Sequence, residues 1–297
     1  MSPSIFDSEL PLPDENLTKR AQTLLGFEAR YVRLRNQLRL MLNLGELEAW
    51  SKKYHGEILP VCKLVADQYP LIIFYGDVGT GKTVTAECAA NRLVAEAKAE
   101  DSILFKLSNK VRGSGKVGEM GTLIADAFQK VTHSAGKARR AILIIDEGDS
   151  LASGRIQSQS HHEDKVAVNT LIQCVDDLRR YHGRVVVFLC TNRVSVLDPA
   201  LQRRAAIFEE FTRPSADDRR DLLTMDLKGL KLTHAQISEL VTATGVRDKM
   251  PTWTYSDIRT RLYPAALALA FPESALRFEN LKTAAASMHS SPTMEDL

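Results

Sequence analysis

One eight-residue segment constrains the fold of this chain more than any other feature. Residues 76–83 read GDVGTGKT and match the pattern G-x-x-x-x-G-K-[ST] at every defined position. The segment follows an apolar run at 71–75 and opens a helical pattern at 83–97, which is the context that the pattern requires. Glycines let backbone amides approach phosphate oxygens, and the helix N-terminus adds positive potential. The sequence therefore predicts a phosphate-binding loop between a strand and a helix.

The residues of this loop have separate predicted roles. We expect Lys82 to reach the β- and γ-phosphates of a nucleoside triphosphate, and Thr83 to place its hydroxyl on Mg²⁺. The remaining residues are predicted to line the phosphates: Gly76, Asp77, Val78, Gly79, Thr80 and Gly81. A chance glycine turn is the alternative, but it does not explain the flanking strand and helix patterns.

Short apolar runs alternate with helical patterns through the middle of the chain. The runs predicted as strands are 71–75, 103–107, 141–145, 185–190 and 206–211, and the helical patterns between them are 83–97, 120–131 and 166–181. The runs are unbroken rather than alternating, as in parallel strands that are buried on both faces. An apolar fraction of 44% supplies enough side chains for such a core. The pattern predicts an α/β fold with a parallel sheet flanked by helices.

Two carboxylates follow the apolar run at 141–145. Ligands of such sheets lie at the carboxyl ends of the strands, which is where Asp146 and Glu147 fall. We expect Asp146 to hold Mg²⁺ from its outer coordination sphere, and Glu147 to polarise the water that attacks the γ-phosphate. Helix capping after the strand is the alternative role for either side chain.

An amide side chain ends the apolar run at 185–190 in a similar way. Asn192 would emerge beside Glu147 if the two strands are neighbours in the sheet. There it could orient the attacking water and sense the γ-phosphate. An ordinary turn asparagine is the alternative.

Strand patterns end after Pro214. Helical patterns follow at 217–227, 234–242, 256–269 and 273–285. Thr233 is predicted to cap the second helix and Ser256 the third, and Pro264 should kink or interrupt the third. These features predict a small helical domain, which a flexible tail follows at 286–297.

A basic stretch precedes the first predicted strand. Residues 1–16 hold three prolines and many polar groups, and they are predicted to form an extended arm. Residues 17–44 have a helical pattern with six basic residues and one acidic residue, a local charge of +5. This segment is either a solvated face or oligomer contact, or a dock for an acidic partner or nucleic acid. The whole-chain charge of +2 argues against a general polyanion binder.

The sequence lacks the patterns of disulfide, zinc and membrane proteins. The four cysteines form no C-x-x-C pair, and the adjacent His161 and His162 have poor spacing for metal ligands. No apolar run reaches about 18 residues, and the first residues lack the features of a secretory signal. We therefore expect a cytoplasmic protein with free thiols and no membrane partner.

The order of these motifs resembles that of the AAA+ ATPases over about residues 47–285. The phosphate loop corresponds to the family's Walker A motif, the acidic pair to Walker B and Asn192 to sensor 1. The stretch DPALQRR at 198–204 then follows in the family's order. The resemblance implies hydrolysis of ATP with Mg²⁺, and it places the last stretch at a subunit interface. There Arg203 or Arg204 would reach the ATP of the neighbouring protomer as an arginine finger, worth about 10³–10⁵ in rate.

Three segments look like the pachytene-checkpoint remodellers of HORMA-domain proteins within that superfamily. They are DEGDSLASGR at 146–155, VNTLIQCVD at 168–176 and RAAI at 204–207. The likeness aligns Arg204 better than Arg203 with the finger. It implies a hexameric ring that hydrolyses ATP to disassemble or unfold a HORMA-domain partner. The short chain resembles bacterial relatives that act in anti-phage defence. Those relatives restrain a cyclic-nucleotide signal that a nucleotidyltransferase makes.

The resemblance also implies two loops that grip a substrate in the pore of the ring. The first precedes the helical pattern at 120–131, and the second falls at 154–163. Their candidate contact residues are Lys116, Val117, Gly118, Glu119, Arg155, His161 and His162. The aromatic residues typical of the first loop are absent, and a plain surface loop is its alternative role.

A second nucleotide sensor is expected at the start of the third helix after Pro214. The family's Ser-Gly-Arg motif aligns with residues 256–258, which places Ile258 at the arginine position. Arg259 or Arg261 would have to substitute, and we favour Arg259. A solvated helix face is the alternative.

The combined prediction has four parts. They are an N-terminal arm and basic helical segment at 1–46, a large AAA+ α/β domain at 47–213, a helical lid at 214–285 and a flexible tail at 286–297. A nucleic-acid-associated AAA+ loader is the competing function, because of the basic segment, although no helix-turn-helix follows the lid. A third possible function is a nucleotide-gated scaffold that does not turn over ATP. The presence of Glu147 and Arg204 argues against it.

Overall fold

One sheet of six strands organises the fold in the computed structural model, which describes residues 5–42, 44–66, 68–97, 101–108, 111, 119–136, 139–151, 162–247 and 249–294. The strands are β1 (Phe6–Leu12), β2 (Leu71–Gly76), β3 (Ser102–Leu107), β4 (Ala141–Ile145), β5 (Val185–Thr191) and β6 (Ala205–Phe211). Their order across the sheet is β1-β3-β4-β5-β2-β6. The pairs β3–β4, β4–β5 and β5–β2 are parallel. The predicted α/β fold is confirmed, and all five predicted strands are present.

The edge strand β1 differs from the prediction of an extended arm. It pairs antiparallel with β3, in a register that runs from Phe6 opposite Leu107 to Leu12 opposite Ser102. Phe6 is buried and its ring centroid lies 4.9 Å from that of Phe105. The prolines that suggested an arm are tolerated because β1 is an edge strand, where a missing N–H need not break a ladder.

The chain divides into two compact units, residues 1–75 with 83–210 and residues 76–82 with 211–297. The helices described in the first unit are α1 (Glu15–Ala21), α2 (Phe27–Leu42), α3 (Leu44–His55), α4 (Pro60–Ala66), α5 (Lys82–Glu96), α6 (Glu119–Ser134), α7 (His162–Asp177) and α8 (Pro199–Gln202). The helical pattern at 17–44 is thus split into α1 and α2, and α3 and α4 were not predicted. The phosphate loop groups with the second unit.

The main core of the first unit lies between the sheet and two helices. Alternate residues of the central strands, such as Leu143 and Val187, are fully buried in one cluster with Ile124 of α6 and Leu171 of α7. All residues of β4 and β5 are buried. Because both faces of these strands are covered, their sequences are continuous apolar runs, as the prediction assumed.

The basic segment is largely neutralised within the first unit. Five of its six basic side chains form ion pairs with acidic residues, and the pairs are Lys19–Glu15, Arg20–Glu87, Arg30–Glu209, Arg33–Glu209 and Arg39–Glu46. Arg35 alone among the six has no acidic partner in the described ranges. The local charge of +5 therefore leaves little free positive surface, because most of it faces carboxylates from α1, α3, α5 and β6.

The second unit contains the helices predicted after Pro214. They are α9 (Ala216–Asp226), α10 (His234–Ala243), a π-helix (Asp257–Leu262) that runs into α11 (Tyr263–Ala268), and α12 (Phe278–Ser287). Thr233 caps α10 as predicted, in a reciprocal pair with Gln236. Ser256 gives no side-chain cap to the third helix, so that prediction was wrong. Thr254 takes the role, because Thr254 and Asp257 each bond the other's backbone N–H.

Residues 288–294 also differ from the prediction of a flexible tail. Arg247 donates hydrogen bonds to the carbonyl oxygens of Ala285 and Met288. Ser290 is buried, and the Ser291 hydroxyl donates to Asp257 at 2.6 Å. This part of the tail is therefore fixed to its own unit by polar contacts that no local sequence pattern reports.

Three of the four cysteines are buried, and Cys174 is partly buried. All four are free, and burial raises the pKa of Cys88 and of Cys174 to about 11. The thiols of Cys88 and Cys174 are therefore protonated and unreactive near neutral pH. In the described ranges, no helix has both the length and the apolar character needed to cross a membrane.

We expect Phe6→Ala to lower the stability of the first unit, because it removes a buried ring that packs on Phe105. The loss should be about 3 kcal/mol, as for other buried phenylalanines. Urea unfolding followed by circular dichroism measures it, with the exposed Ser8→Ala on the same strand as the matched control. Equal midpoints for the two variants would show that β1 is not part of the folded core.

Candidate active site

A hydrogen bond joins the start of α5 to the end of β4. The Thr83 hydroxyl donates to Oδ2 of Asp146 at 2.9 Å, across 63 residues of sequence. Both side chains are half-buried. A hydroxyl and a carboxylate oxygen side by side are the ligand types that Mg²⁺ prefers, either directly or through its waters. The residues present therefore fit the magnesium ion that the sequence predicts.

Glu147 stands on a constrained turn directly after Asp146. Its backbone has φ 50° and ψ 45°, in the left-handed region that few residues other than glycine adopt. The other Asp146 oxygen, Oδ1, accepts a hydrogen bond from the Glu147 N–H at 3.0 Å. The Glu147 side chain is exposed at this edge of the sheet. Strained backbone of this kind persists where the surroundings fix it, as at many catalytic turns.

The surroundings of this turn fix it against β5. A Cβ at Gly148 would lie 2.5 Å from the buried side chain of Leu189, so no larger residue fits there. Thr191, the last residue of β5, donates its hydroxyl to Asp149 at 3.0 Å. The turn that carries Glu147 is therefore held against β5 by close packing at Gly148 and by a hydrogen bond at Asp149.

Asn192 lies at the same edge of the sheet as the acidic pair. β4 and β5 are paired in parallel, with Ile145 opposite Leu189, and Asn192 directly follows β5. The condition on which the sequence prediction depended, that the two strands are neighbours, is confirmed. The role of Asn192 in sensing phosphate stays a prediction.

The phosphate loop is shaped by close approach within the second unit. Gly79 has φ +75°, and a Cβ there would lie 2.7 Å from Oγ1 of Thr254. The buried Lys82 donates its ammonium hydrogens to the carbonyl oxygens of Gly76 and Asp77, at 2.9 and 2.8 Å. Thr80 also binds the Asp77 carbonyl, at 2.7 Å. The lysine is therefore held at the loop by weak neutral acceptors that a phosphate could replace.

The side chain of Asp77 has partners that sequence reasoning missed. One oxygen accepts a hydrogen bond from the Val78 N–H at 2.9 Å, and the other pairs with the guanidinium of Arg213. Val78 itself is exposed. Arg213 follows β6, 136 residues away, and no motif or spacing marks it. Only the arrangement of β2 beside β6 could have pointed to the pair.

The two candidate finger arginines differ in their surroundings. Arg204 forms a two-pronged ion pair with Asp176 of α7, donates to the Ala200 carbonyl at 2.8 Å, and lies over the ring of Tyr69. Its hydrogen bond to Asp176 raises the pKa of Arg204, so its charge is permanent. Arg203 is exposed. To act on another subunit, Arg204 has to leave Asp176.

Both candidates for the second sensor are engaged in the second unit. Arg259 pairs with Asp226 of α9 through two bonds, at 2.7 and 2.8 Å, and Arg261 binds Asp257 at 2.9 Å. The Arg259 side chain is only 26% exposed, which differs from a solvated helix face. Its assignment as sensor 2 stays a prediction.

The candidate pore-loop residues lie almost entirely outside the described ranges. This holds for Lys116, Val117, Gly118, Arg155 and His161. Glu119 is described as the first residue of α6, and His162 as the first residue of α7.

Comparisons with known proteins identify the family of this chain. The profile of the family described as "ATPase family associated with various cellular activities (AAA)" matches residues 72–213. The chain is 64% identical over 294 residues, 99% of each sequence, to CD-NTase-associated protein 6 of Escherichia coli strain KTE188. The chain belongs to this family of AAA ATPases. Nucleotide binding is what the family implies.

Solved structures give the same family likeness. A chain in the structure of the E. coli MS115-1 HORMA:CdnC:Trip13 complex has a TM-score of 0.90 and 35% identity, over 99% of this ATPase and 100% of that chain. The structure of Rhizobiales Trip13 has a TM-score of 0.72 and 31% identity, over 96% and 99%. The predicted resemblance to HORMA-linked AAA+ ATPases is confirmed.

We expect Glu147→Gln to lower ATP turnover by at least about 100-fold, because the amide cannot accept the proton of the attacking water. Nucleotide binding should be retained, since the side chain keeps its size and Thr83, Asp146 and Lys82 are unchanged. Steady-state phosphate release and nucleotide titration measure the two effects. The matched control is Glu239→Gln, an exposed change on α10. Turnover at the wild-type rate would remove Glu147 from the mechanism.

Proposed function

We propose that this chain is an ATP-driven remodeller that disassembles or unfolds a HORMA-domain protein and so restrains cyclic-nucleotide signalling in bacterial anti-phage defence. The observation that carries the proposal is likeness over the full length. The chain covers all of the partner-bound Trip13-like chain at a TM-score of 0.90. Because that likeness includes the segments outside the ATPase core, it supports a shared task and not only a shared fold.

The substrate of the site is ATP, held with Mg²⁺. Thr83 and Asp146 would hold the metal, whose positive charge offsets the charge of the phosphates. Lys82 would exchange its two carbonyl acceptors for phosphate oxygens, to which it makes stronger, charge-assisted bonds. The narrow fit at Gly79 supports this role, because a side chain there would collide with Thr254.

Glu147 and Asn192 then act on the water that attacks the γ-phosphate. Glu147 accepts a proton from the water, and its constrained turn keeps the carboxylate exposed. Asn192, at the end of the neighbouring strand, orients the water with its amide. Positioning of this kind supplies much of the catalysis in phosphoryl transfer, since the protein does little covalent chemistry.

A ring of six protomers would complete the site. Arg204 is the finger that the neighbouring protomer supplies, and Asp176 holds the guanidinium until the neighbour's nucleotide replaces it. The residues at 116–119 and Arg155 would contact the substrate polypeptide in the pore. Turnover of ATP moves these loops, and their motion disassembles or unfolds the partner.

The nucleic-acid loader loses its main support in the ion pairs of the basic segment. Five of the six cations that suggested it are paired, for example Arg30 and Arg33 with Glu209. A loader needs several free cations to neutralise phosphates.

Mixing two inactive variants tests the finger in trans. Arg204→Ala and Glu147→Gln should each lose turnover, the first by about 10³. Mixed oligomers should recover part of it, because a Glu147→Gln subunit supplies Arg204 to a neighbour whose Glu147 is intact. Arg203→Ala serves as the control, with turnover close to wild type. No recovery on mixing would contradict a finger supplied by the neighbour.

Partner disassembly tests the function itself. A complex of a HORMA-domain protein with a cyclic-nucleotide synthase should dissociate when this ATPase and ATP are added. Size-exclusion chromatography follows the loss of the complex. Glu147→Gln should leave the complex intact, since it binds ATP without turnover. A complex that persists with the active ATPase, or that dissociates equally with the variant, would overturn the proposal.

A further inference from the structure

A segment of the second unit returns to the phosphate loop. This return segment, residues 288–294, ends with the Met294 N–H donating to Oδ1 of Asp77 at 3.3 Å. Asp77 is the second residue of the loop, and its other oxygen pairs with Arg213. The Asp77 carboxylate of the loop thus binds two elements, Arg213 and the return segment, which lie far apart in sequence. Neither belongs to the predicted nucleotide motif.

Arg213 connects these elements through every nitrogen of its guanidinium. Nε pairs with Asp77, Nη1 donates to the Thr252 carbonyl at 2.6 Å, and Nη2 donates to the Pro292 carbonyl at 2.8 Å. Its side chain is 9% exposed and that of Asp77 is 15% exposed. Charge-assisted bonds in so dry a setting are strong and fix geometry, because water competes for them weakly.

Asp257 anchors the return segment a second time. Its carboxylate, 1% exposed, accepts hydrogen bonds from the N–H and the hydroxyl of Ser291, at 3.2 and 2.6 Å. Burial alone would raise the pKa of Asp257, but hydrogen bonds from Ser291, Thr254 and Arg261 hold it below its ordinary value. It therefore stays a charged acceptor. Asp257 also accepts the Thr254 N–H in the reciprocal pair that caps the third helix. The start of this helix contacts the phosphate loop, because the Ser256 N–H donates to the Gly79 carbonyl at 3.1 Å.

We propose that Arg213 and the return segment are positioning elements of the ATP site, which set the phosphate loop for nucleotide binding through Asp77. The proposal rests on the proposed function only in taking residues 76–83 as the ATP site. The contacts of Arg213 and the segment given above are made within the second unit, to the phosphate loop and its neighbours. Their loss should therefore weaken nucleotide binding and raise KM, with a much smaller effect on kcat.

Two shortened chains give a matched test. A chain that ends at Met288 loses the contacts of Ser291, Pro292 and Met294, whereas a chain that ends at Met294 keeps them. Both are made in the Glu147→Gln background, and the Kd of Mg-ATP is measured by calorimetry. We expect about tenfold weaker binding for the first and no change for the second, a factor equivalent to about 1.4 kcal/mol. Equal Kd values for two folded chains would overturn the proposal.

A point variant keeps the test decisive if the shorter chain does not fold. Arg213→Gln removes the charge that pairs with Asp77, and Arg213→Lys keeps that charge. We expect Arg213→Gln to raise Kd and KM about tenfold at nearly constant kcat, with partial rescue in Arg213→Lys. Arg220→Gln, an exposed change on α9, is the control. A fall in kcat at constant KM, or no change with Arg213→Gln, would contradict the proposal.

The outcomes also separate this inference from the proposed function. If the variants bind ATP as the parent does while wild-type ATPase still disassembles the HORMA complex, only the positioning role fails. If the variants weaken ATP binding and the wild type leaves that complex intact, only the remodelling function fails.

Discussion

The hydrogen bond from Thr83 to Asp146 is the contact on which the account of this site depends. It joins the helix that follows the phosphate loop to the strand that carries the acidic pair, over 63 residues of sequence. Without it, the glycine-rich segment and the carboxylates would be two motifs rather than one site. With it, a hydroxyl and a carboxylate, ligand types that a hard cation prefers, lie side by side, and Glu147 follows directly on a constrained turn.

The sheet makes that contact possible. The order β4-β5-β2 places the strand before the loop two positions from the acidic strand, and the strand that Asn192 follows lies between them. Because these strands are parallel, their carboxyl ends share one edge, where ligands of such sheets bind. The tight turn at Gly148 then fixes the backbone that carries Glu147 at that edge.

Much of this arrangement was predictable because local sequence patterns specify it. Buried parallel strands are continuous apolar runs, and the phosphate loop has a defined spacing, so β2 to β6 and residues 76–83 could be read directly. β1 was missed because its prolines suggested an arm, although an edge strand accepts them. The pairs Asp77–Arg213 and Arg33–Glu209 could not be found, since each joins residues more than 100 positions apart and no motif links the two ends. The capping role passed from Ser256 to Thr254 for a similar reason: several residues could cap, and tertiary packing decides among them.

A double-mutant cycle on Thr83 and Asp146 tests the central claim most directly. Thr83→Val removes the hydroxyl at constant shape, and Asp146→Asn removes the charge. ATP turnover is measured for both single variants and for the pair. If the two side chains act together on one metal, the double variant should lose little more than the worse single variant, because either change already breaks the unit. Losses that multiply would contradict the account, since they would mean that the two residues act independently.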